Sequence, residues 1–230
     1  MEKVLILADS VHTDELLQSL ADRFPKIKIA QSELGSSESL PSISISSDFE
    51  SLIRDYDLIV SIHCKKIFPP ELVNSVRCVN VHPGFNPFNR GWFPHVFSII
   101  NNQKSGVTIH EMDAAIDHGP IISQVECPIY SWDNSSTLYE RIISVERDLV
   151  LDWFDRIVEG NYSSFSSENG GSNNKKSDFS SLCEIDLEEV GSFGDHINHL
   201  RALSHKGFRN AYFFDEEGNK IFISLDLEKE

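Results

Sequence analysis

Apolar residues along this chain follow two rhythms. KVLILA (3–8) and DLIVSIHC (57–64) are continuous runs bounded by charge, the pattern of strands covered on both faces. KIKIA (26–30) alternates as a strand, and CVNVH (78–82) reads as another. Helical spacing fills the gaps. Leu16, Leu17, Leu20 and Phe24 follow a candidate cap at Thr13, FESLIRDY (49–56) suggests a short helix, and PPELVNSV (69–76) opens on prolines suited to a first turn. WFPHVFSIINN (92–102) reads as the helix after a turn, and residues 32–47 as a loop in which ISIS (43–46) pairs at most briefly. The order β-α-β-(α)-β-α-β-α predicts an α/β fold, a doubly wound and mainly parallel sheet.

GVTIHEMD (106–113), GPIISQVECPI (119–129) and a helix over roughly 135–159, with Leu138, Ile142, Val145, Leu149 and Trp153 along one face, complete a catalytic domain over 1–160. Residues 161–181 are rich in Ser, Asn and Gly without a period and predict a linker or mobile loop. Residues 182–230 predict a small C-terminal helix-plus-β-hairpin unit: a helix near 192–204, then two alternating strands in AYFFDEEGNKIFISLDL. Tyr212, Phe213 and Phe222 are expected on its buried face. An isolated hairpin is marginal, so this one should pack on the main domain or on a second subunit, and a homodimer is expected.

At 230 residues, 40% apolar and 24% charged, the chain can bury a full core as one domain or as a domain with an appendage. No apolar run approaches the about 20 residues that cross a bilayer, so no membrane partner is expected. MEKVLILAD is too short for a signal h-region, so a cytoplasmic location is the default expectation. The 4 cysteines (Cys64, Cys78, Cys127, Cys183) are widely separated and suggest neither a zinc ribbon nor a disulfide framework; Cys78 and Cys127 read as core residues. The net charge of −16 argues against a nucleic-acid partner. It leaves room for a small anionic substrate held by one or two local cations. Neither G-x-G-x-x-G nor a P-loop is present.

Against this background, Asn80 and His82 interrupt a strand that ought to be buried. Residues i and i+2 share a strand face, and ligands bind at the carboxyl ends of parallel strands, where His82 meets Pro83 and Gly84. A neutral imidazole can move a proton and an amide N–H can steady an oxyanion, which together suggest acyl transfer. The alternative is a histidine that only caps a core strand. In MDAAIDHGPII (112–122), Asp113 and Asp117 are carboxylates that could orient such a ring. His118 lacks the companions of a ligand set, so no metal is expected. No Ser or Cys nucleophile elbow is visible, so the attacking group should belong to the substrate.

VNVHPGFNPFNRGWFP followed by GVTIHEMDAAIDHGPII resembles the folate-dependent formyltransferase family, marked by N-x-H at a strand end, a P-x-x-R-G turn and a G-V-T…D…D-x-G segment. The likeness implies N10-formyltetrahydrofolate as co-substrate and a triad of Asn80, His82 and Asp117. It further implies a pterin held by the loop of Asp113, Ala114, Ala115, Ile116 and Asp117 and by Lys66, Ile67 and Phe68. The tRNA-formylating members read H-G-S-L-L-P where this chain has His82–Pro87, and they append a larger basic domain. NPFNRGWFP, SWDNSSTLYERI and LRALSHKGFRNAYFFDEEGNKIFI instead resemble the sugar N-formyltransferases, closest to those acting on dTDP-4-amino-4,6-dideoxyglucose. That implies a small-molecule nucleotide sugar as partner and a place in surface-polysaccharide (O-antigen) biosynthesis. A 3-amino-3,6-dideoxyhexose acceptor, or a hydrolase using the same Asn/His/Asp set on water, are the alternatives.

Because the turn GFNPFNRGW lies just past the catalytic strand, Phe85, Asn86, Asn89, Arg90 and Trp92, with Lys65, are expected on the substrate side. Ordinary surface cations and core aromatics are the competing readings. Lys175 and Lys176 are candidates to fold over a diphosphate. His196 and His199 beside Asp195 read as a solvated helix face rather than a metal site.

Overall fold

The computed structural model describes residues 3–167 and 170–230. In chain order the elements are β1 (Val4–Ala8), α1 (Asp14–Arg23), β2 (Lys28–Ser32), β3 (Ser42–Ile43), α2 (Ile45–Asp55), β4 (Leu58–Ile62), α3 (Pro70–Ser75) and β5 (Arg77–His82). Next come β6 (Arg90–Gly91), α4 (Pro94–Ile100), β7 (Gly106–Glu111), β8 (Ile121–Glu126) and α5 (Ser135–Glu159). The chain ends with β9 (Asn173–Asn174), α6 (Lys176–Cys183), α7 (Phe193–Leu203), β10 (Tyr212–Phe214) and β11 (Lys220–Phe222).

Seven strands form one sheet in the order β3-β2-β1-β4-β5-β7-β8. β1, β2, β3, β4 and β5 run parallel, and β7 joins β5 antiparallel. Every residue of β1 and β4 is buried, as two-faced cover requires. One core cluster packs Leu5, Leu7, Ile59, Phe68, Leu72 and Cys78, the Leu, Ile and Phe side chains each contributing about 1.5–3 kcal/mol by leaving water. The strand order reverses between β1 and β4, the switch point at which α/β sheets open a crevice. There Asp9 accepts from the Ser32 amide at 2.7 Å, the Ser32 hydroxyl at 2.6 Å and the Lys65 amide at 2.7 Å, tying three strand ends together.

By contact, the chain divides into two units that each draw on separate stretches: 1–83, 107–125 and 143–168, and 84–106, 126–142 and 169–230. The first holds most of the sheet. In the second, α7 begins with a capping box in which the Ser192 hydroxyl accepts from the Asp195 amide, and β10 and β11 pair antiparallel.

Several sequence expectations shift. Thr13 precedes α1 but its hydroxyl donates to the Ser10 carbonyl at 2.6 Å instead of capping the helix. ISIS is divided: Ile43 ends β3, and Ile45, fully buried, starts α2. The helix after the turn starts at Pro94, because Phe93 adopts a left-handed φ of 53° that no helix accommodates. The segment 161–181 is not unstructured throughout. Phe165 bridges to Ile121, Asn173 and Asn174 pair with Arg90 and Gly91, and α6 starts at Lys176; residues 168 and 169 lie outside the described residues. Gly91 allows that pairing, since it has φ 85° and a Cβ there would stand 2.4 Å from the Asn174 carbonyl oxygen. On the hairpin Tyr212 and Phe213 are half-buried, but Phe222 is 43% exposed, so the expected buried face does not close within this chain.

Candidate active site

The carboxyl end of β5 carries the polar pair. Val79 and Val81 are buried on one face, and Asn80 and His82 point to the other. Register places Asn80 opposite His110 and His82 opposite Thr108 on β7. The loop after β7 folds back over this face, and Asp117, at a left-handed φ of 48°, brings its carboxylate to both side chains. Oδ1 of Asp117 accepts from the Asn80 amide at 2.9 Å, and Oδ2 stands 3.5 Å from Nδ1 of His82. Gly119 makes the fold-back possible, because a Cβ there would lie 2.0 Å from the Glu111 carbonyl oxygen. The D-x-G spacing thus has a steric cause.

Protons can be assigned from the network. His110 Nδ1 lies 2.6 Å from the Glu111 carbonyl, which only accepts, so that nitrogen carries the proton and Nε2 is left to accept from Asn80 Nδ2 at 3.3 Å. Asp117 beside Nδ1 of His82 likewise places that ring's proton on Nδ1. Nε2 of His82 is buried and has no hydrogen-bond partner among the described residues. Burial pushes the His82 pKa below its ordinary value; Asp117 pulls it up, and His110 and His63 push it down. The result is a neutral imidazole presenting a bare lone pair, the form a proton acceptor needs. Asn80, by contrast, has both amide hydrogens engaged, by Asp117 and by His110. To meet a developing oxyanion it must release one, and the longer bond to His110 is the weaker.

The other predicted residues are distributed as follows. Asp113 builds its own loop: it accepts from the Ala115 amide at 2.8 Å and pairs with His118 at 2.7 Å. Burial raises its pKa, but those hydrogen bonds prevail and hold it low. Ala114, Ala115 and Ile116 are exposed on that loop. Lys66 pairs with Glu33 at 2.9 Å, Ile67 is exposed, and Phe68 is a core side chain, not a surface one. Lys65 is exposed. In the second unit, Asn89 is buried, and its side chain donates to Ser98 Oγ and accepts from Asn101 and Ser172, all at 3.1 Å, bonds that hold the turn in place. Asn86 is buried, and Phe85 lies under the Lys104 ammonium at 5.1 Å. Arg90 has a buried Nε without a partner among the described residues, and Trp92 is 39% exposed with Lys176 5.6 Å from its ring centroid.

Three site residues were missed in the sequence: His63, His110 and Glu146. His63 directly follows a buried strand, much as His82 closes one, and Glu146 falls one turn from Ile142 and Val150 inside the apolar stripe of α5. His110 needed the antiparallel register of β7, which spacing alone does not give.

A family model described as formyl transferase matches residues 3–153. The chain belongs to this family. A second, described as the N-formyltransferase dimerization C-terminal domain, matches residues 178–229 of this formyltransferase. A dTDP-4-amino-4,6-dideoxyglucose formyltransferase from Mycobacterium tuberculosis (strain ATCC 25618 / H37Rv) is 49% identical over 227 residues, covering 99% of this chain and 97% of that protein. Solved structures agree over the whole length. A sugar N-formyltransferase from Shewanella sp. FDAARGOS_354 superposes with TM-score 0.94 at 43% identity, and a 4-N formyltransferase from Francisella tularensis with TM-score 0.92 at 36%. Each alignment covers 100% of this formyltransferase and 99% of the other chain.

Proposed function

We propose that this formyltransferase moves a formyl group from N10-formyltetrahydrofolate to the 4-amine of dTDP-4-amino-4,6-dideoxyglucose. The observation that carries the chemistry is the buried Nε2 of His82, without a partner among the described residues and made a base by its proton on Nδ1 toward Asp117. A reduced folate bearing the formyl group on nitrogen supplies the electrophilic carbonyl carbon. Nε2 of His82 accepts the proton the amine loses as its nitrogen bonds to that carbon. An Asn80 N–H meets the carbonyl oxygen as it gains charge, and Asp117 balances the imidazolium. His82 then returns the proton to the departing folate nitrogen. The surface loop of Asp113, Ala114, Ala115 and Ile116, with Lys66 and Ile67, is proposed as the folate-side contact. Arg90 Nε and the exposed face of Trp92 are proposed to meet the nucleotide sugar.

The choice of a 4-amine over a 3-amine rests on the mycobacterial relative at 49% identity and the Francisella 4-N enzyme at 36%. These relatives are transferases, which removes the ground for the hydrolytic alternative. We further propose a homodimer formed by the C-terminal unit, whose matching family model is described as a dimerization domain and whose Phe214, Ile221, Phe222 and Ile223 are exposed. No described helix is long and apolar enough to cross a membrane; a cytoplasmic enzyme supplying surface-polysaccharide sugars is the proposed setting. The test is incubation with N10-formyltetrahydrofolate and a panel of dTDP-amino sugars, read by mass spectrometry. Formylation of the 4-amino sugar in preference to 3-amino isomers is expected; preference for a 3-amino sugar, or donor hydrolysis without an acceptor, would overturn the reading.

A further inference from the structure

We propose that His63 and Glu146 form a positioning pair, a buried imidazolium–carboxylate couple that keeps the neighbouring His82 ring unprotonated for its role as base. The inference rests on the formyl-transfer reading only for the purpose His82 serves. Ile62, the last residue of β4, pairs with Val81, so His63 and His82 each directly follow the last paired position of two adjacent parallel strands. His63 holds a left-handed φ of 54°, a conformation that a non-glycine residue keeps only where its surroundings enforce it. The ring reaches Glu146. Nε2 of His63 lies 2.8 and 3.0 Å from the two carboxylate oxygens of Glu146, with the side chains only 9% and 2% exposed. A carboxylate only accepts, so Nε2 carries a proton, and a carboxylate this deeply buried requires a cationic partner.

Burial pushes the His63 pKa down, but the charge and hydrogen bond of Glu146 prevail and raise it. The groups that face His82 are Asp117 from the loop after β7, His110 from β7, His63 from the end of β4 and Glu146 from α5. Asp117 would draw a proton onto His82. After burial and His110, His63 opposes it, and acts on His82 more strongly than Glu146 does. Without that positive charge the Asp117 field is less opposed, and Nε2 loses its lone pair to a proton at a higher pH.

The experiment is an NMR titration of the His82 imidazole in histidine-labelled protein, with the signal assigned by its loss in His82→Gln, alongside pH profiles of kcat/KM. His63→Gln keeps an amide donor for Glu146 while removing the charge; Glu146→Gln lets His63 become neutral. Both should raise the His82 titration midpoint, His63→Gln more, because it also leaves the Glu146 anion behind. In His63→Gln, kcat/KM should fall about three- to tenfold at pH 6 and change little at pH 8.5. The doubly neutral His63→Gln/Glu146→Gln protein guards against unfolding of either single variant and should also titrate above wild type. An unmoved His82 midpoint in folded variants, with activity lost equally at all pH values, would reduce the pair to a structural one and overturn the proposal. The titration needs no substrate, so a shifted midpoint would support the inference even if no amino sugar were formylated.

Discussion

His82 stands between neighbours that pull its proton in opposite directions. Asp117 orients the ring and favours the charged form, while burial, His110 and His63 favour the neutral one. Since the net shift is downward, the base form persists to lower pH than for a free imidazole. The acid limb of the kcat/KM profile should therefore fall below about 6.5; a limb above that value would contradict the assignment. Asp117→Asn should cost at least tenfold in kcat while folate binding stays measurable by calorimetry, whereas Asp113→Asn should act on the donor KM. The reverse result would exchange the two roles. Asn80 and His82 were legible as candidates because polar residues in a buried strand are anomalies of pattern, whereas spacing left Asp113 and Asp117 equal and only the family resemblance implied Asp117. Asn89 shows the limit of that reading: an amide in a turn looks the same in sequence whether it faces a ligand or, as its bonds show, also ties the turn to Ser98, Asn101 and Ser172.

The elements themselves show where local pattern suffices. β1 and β4 were plain from their unbroken apolar runs, and α5 from its stripe, because burial on a fixed face leaves a periodic trace. The short pieces escaped. β6 and β9 are 2 residues each, and their pairing joins positions more than eighty apart in the chain, a contact no local rhythm encodes. Gly119 is the clearest element-scale test. A methyl group there meets the Glu111 backbone, which cannot move without displacing the β7–β8 connection. Gly119→Ala should lower stability by roughly 2–4 kcal/mol by denaturant unfolding, with a larger loss of kcat than of folate binding, as Asp117 is carried away from His82. Wild-type stability and turnover would show that the close approach is not needed.

At the scale of the whole molecule, charge and the C-terminal unit decide the partners. With a net charge of −16, the protein should neither shift nor formylate initiator methionyl-tRNA at physiological salt. The exposed Phe222 and Ile223 predict a dimer by light scattering, converted to monomer by a Phe222→Asp/Ile223→Asp double variant. A wild-type monomer at micromolar concentration would contradict that assembly. The central claim, however, is chemical: His82 moves the proton in formyl transfer. It is tested most directly by the turnover rate of His82→Gln against wild type with donor and dTDP-4-amino-4,6-dideoxyglucose both saturating. The account predicts a folded variant slower by about two to four decades; turnover within about threefold of wild type would contradict it.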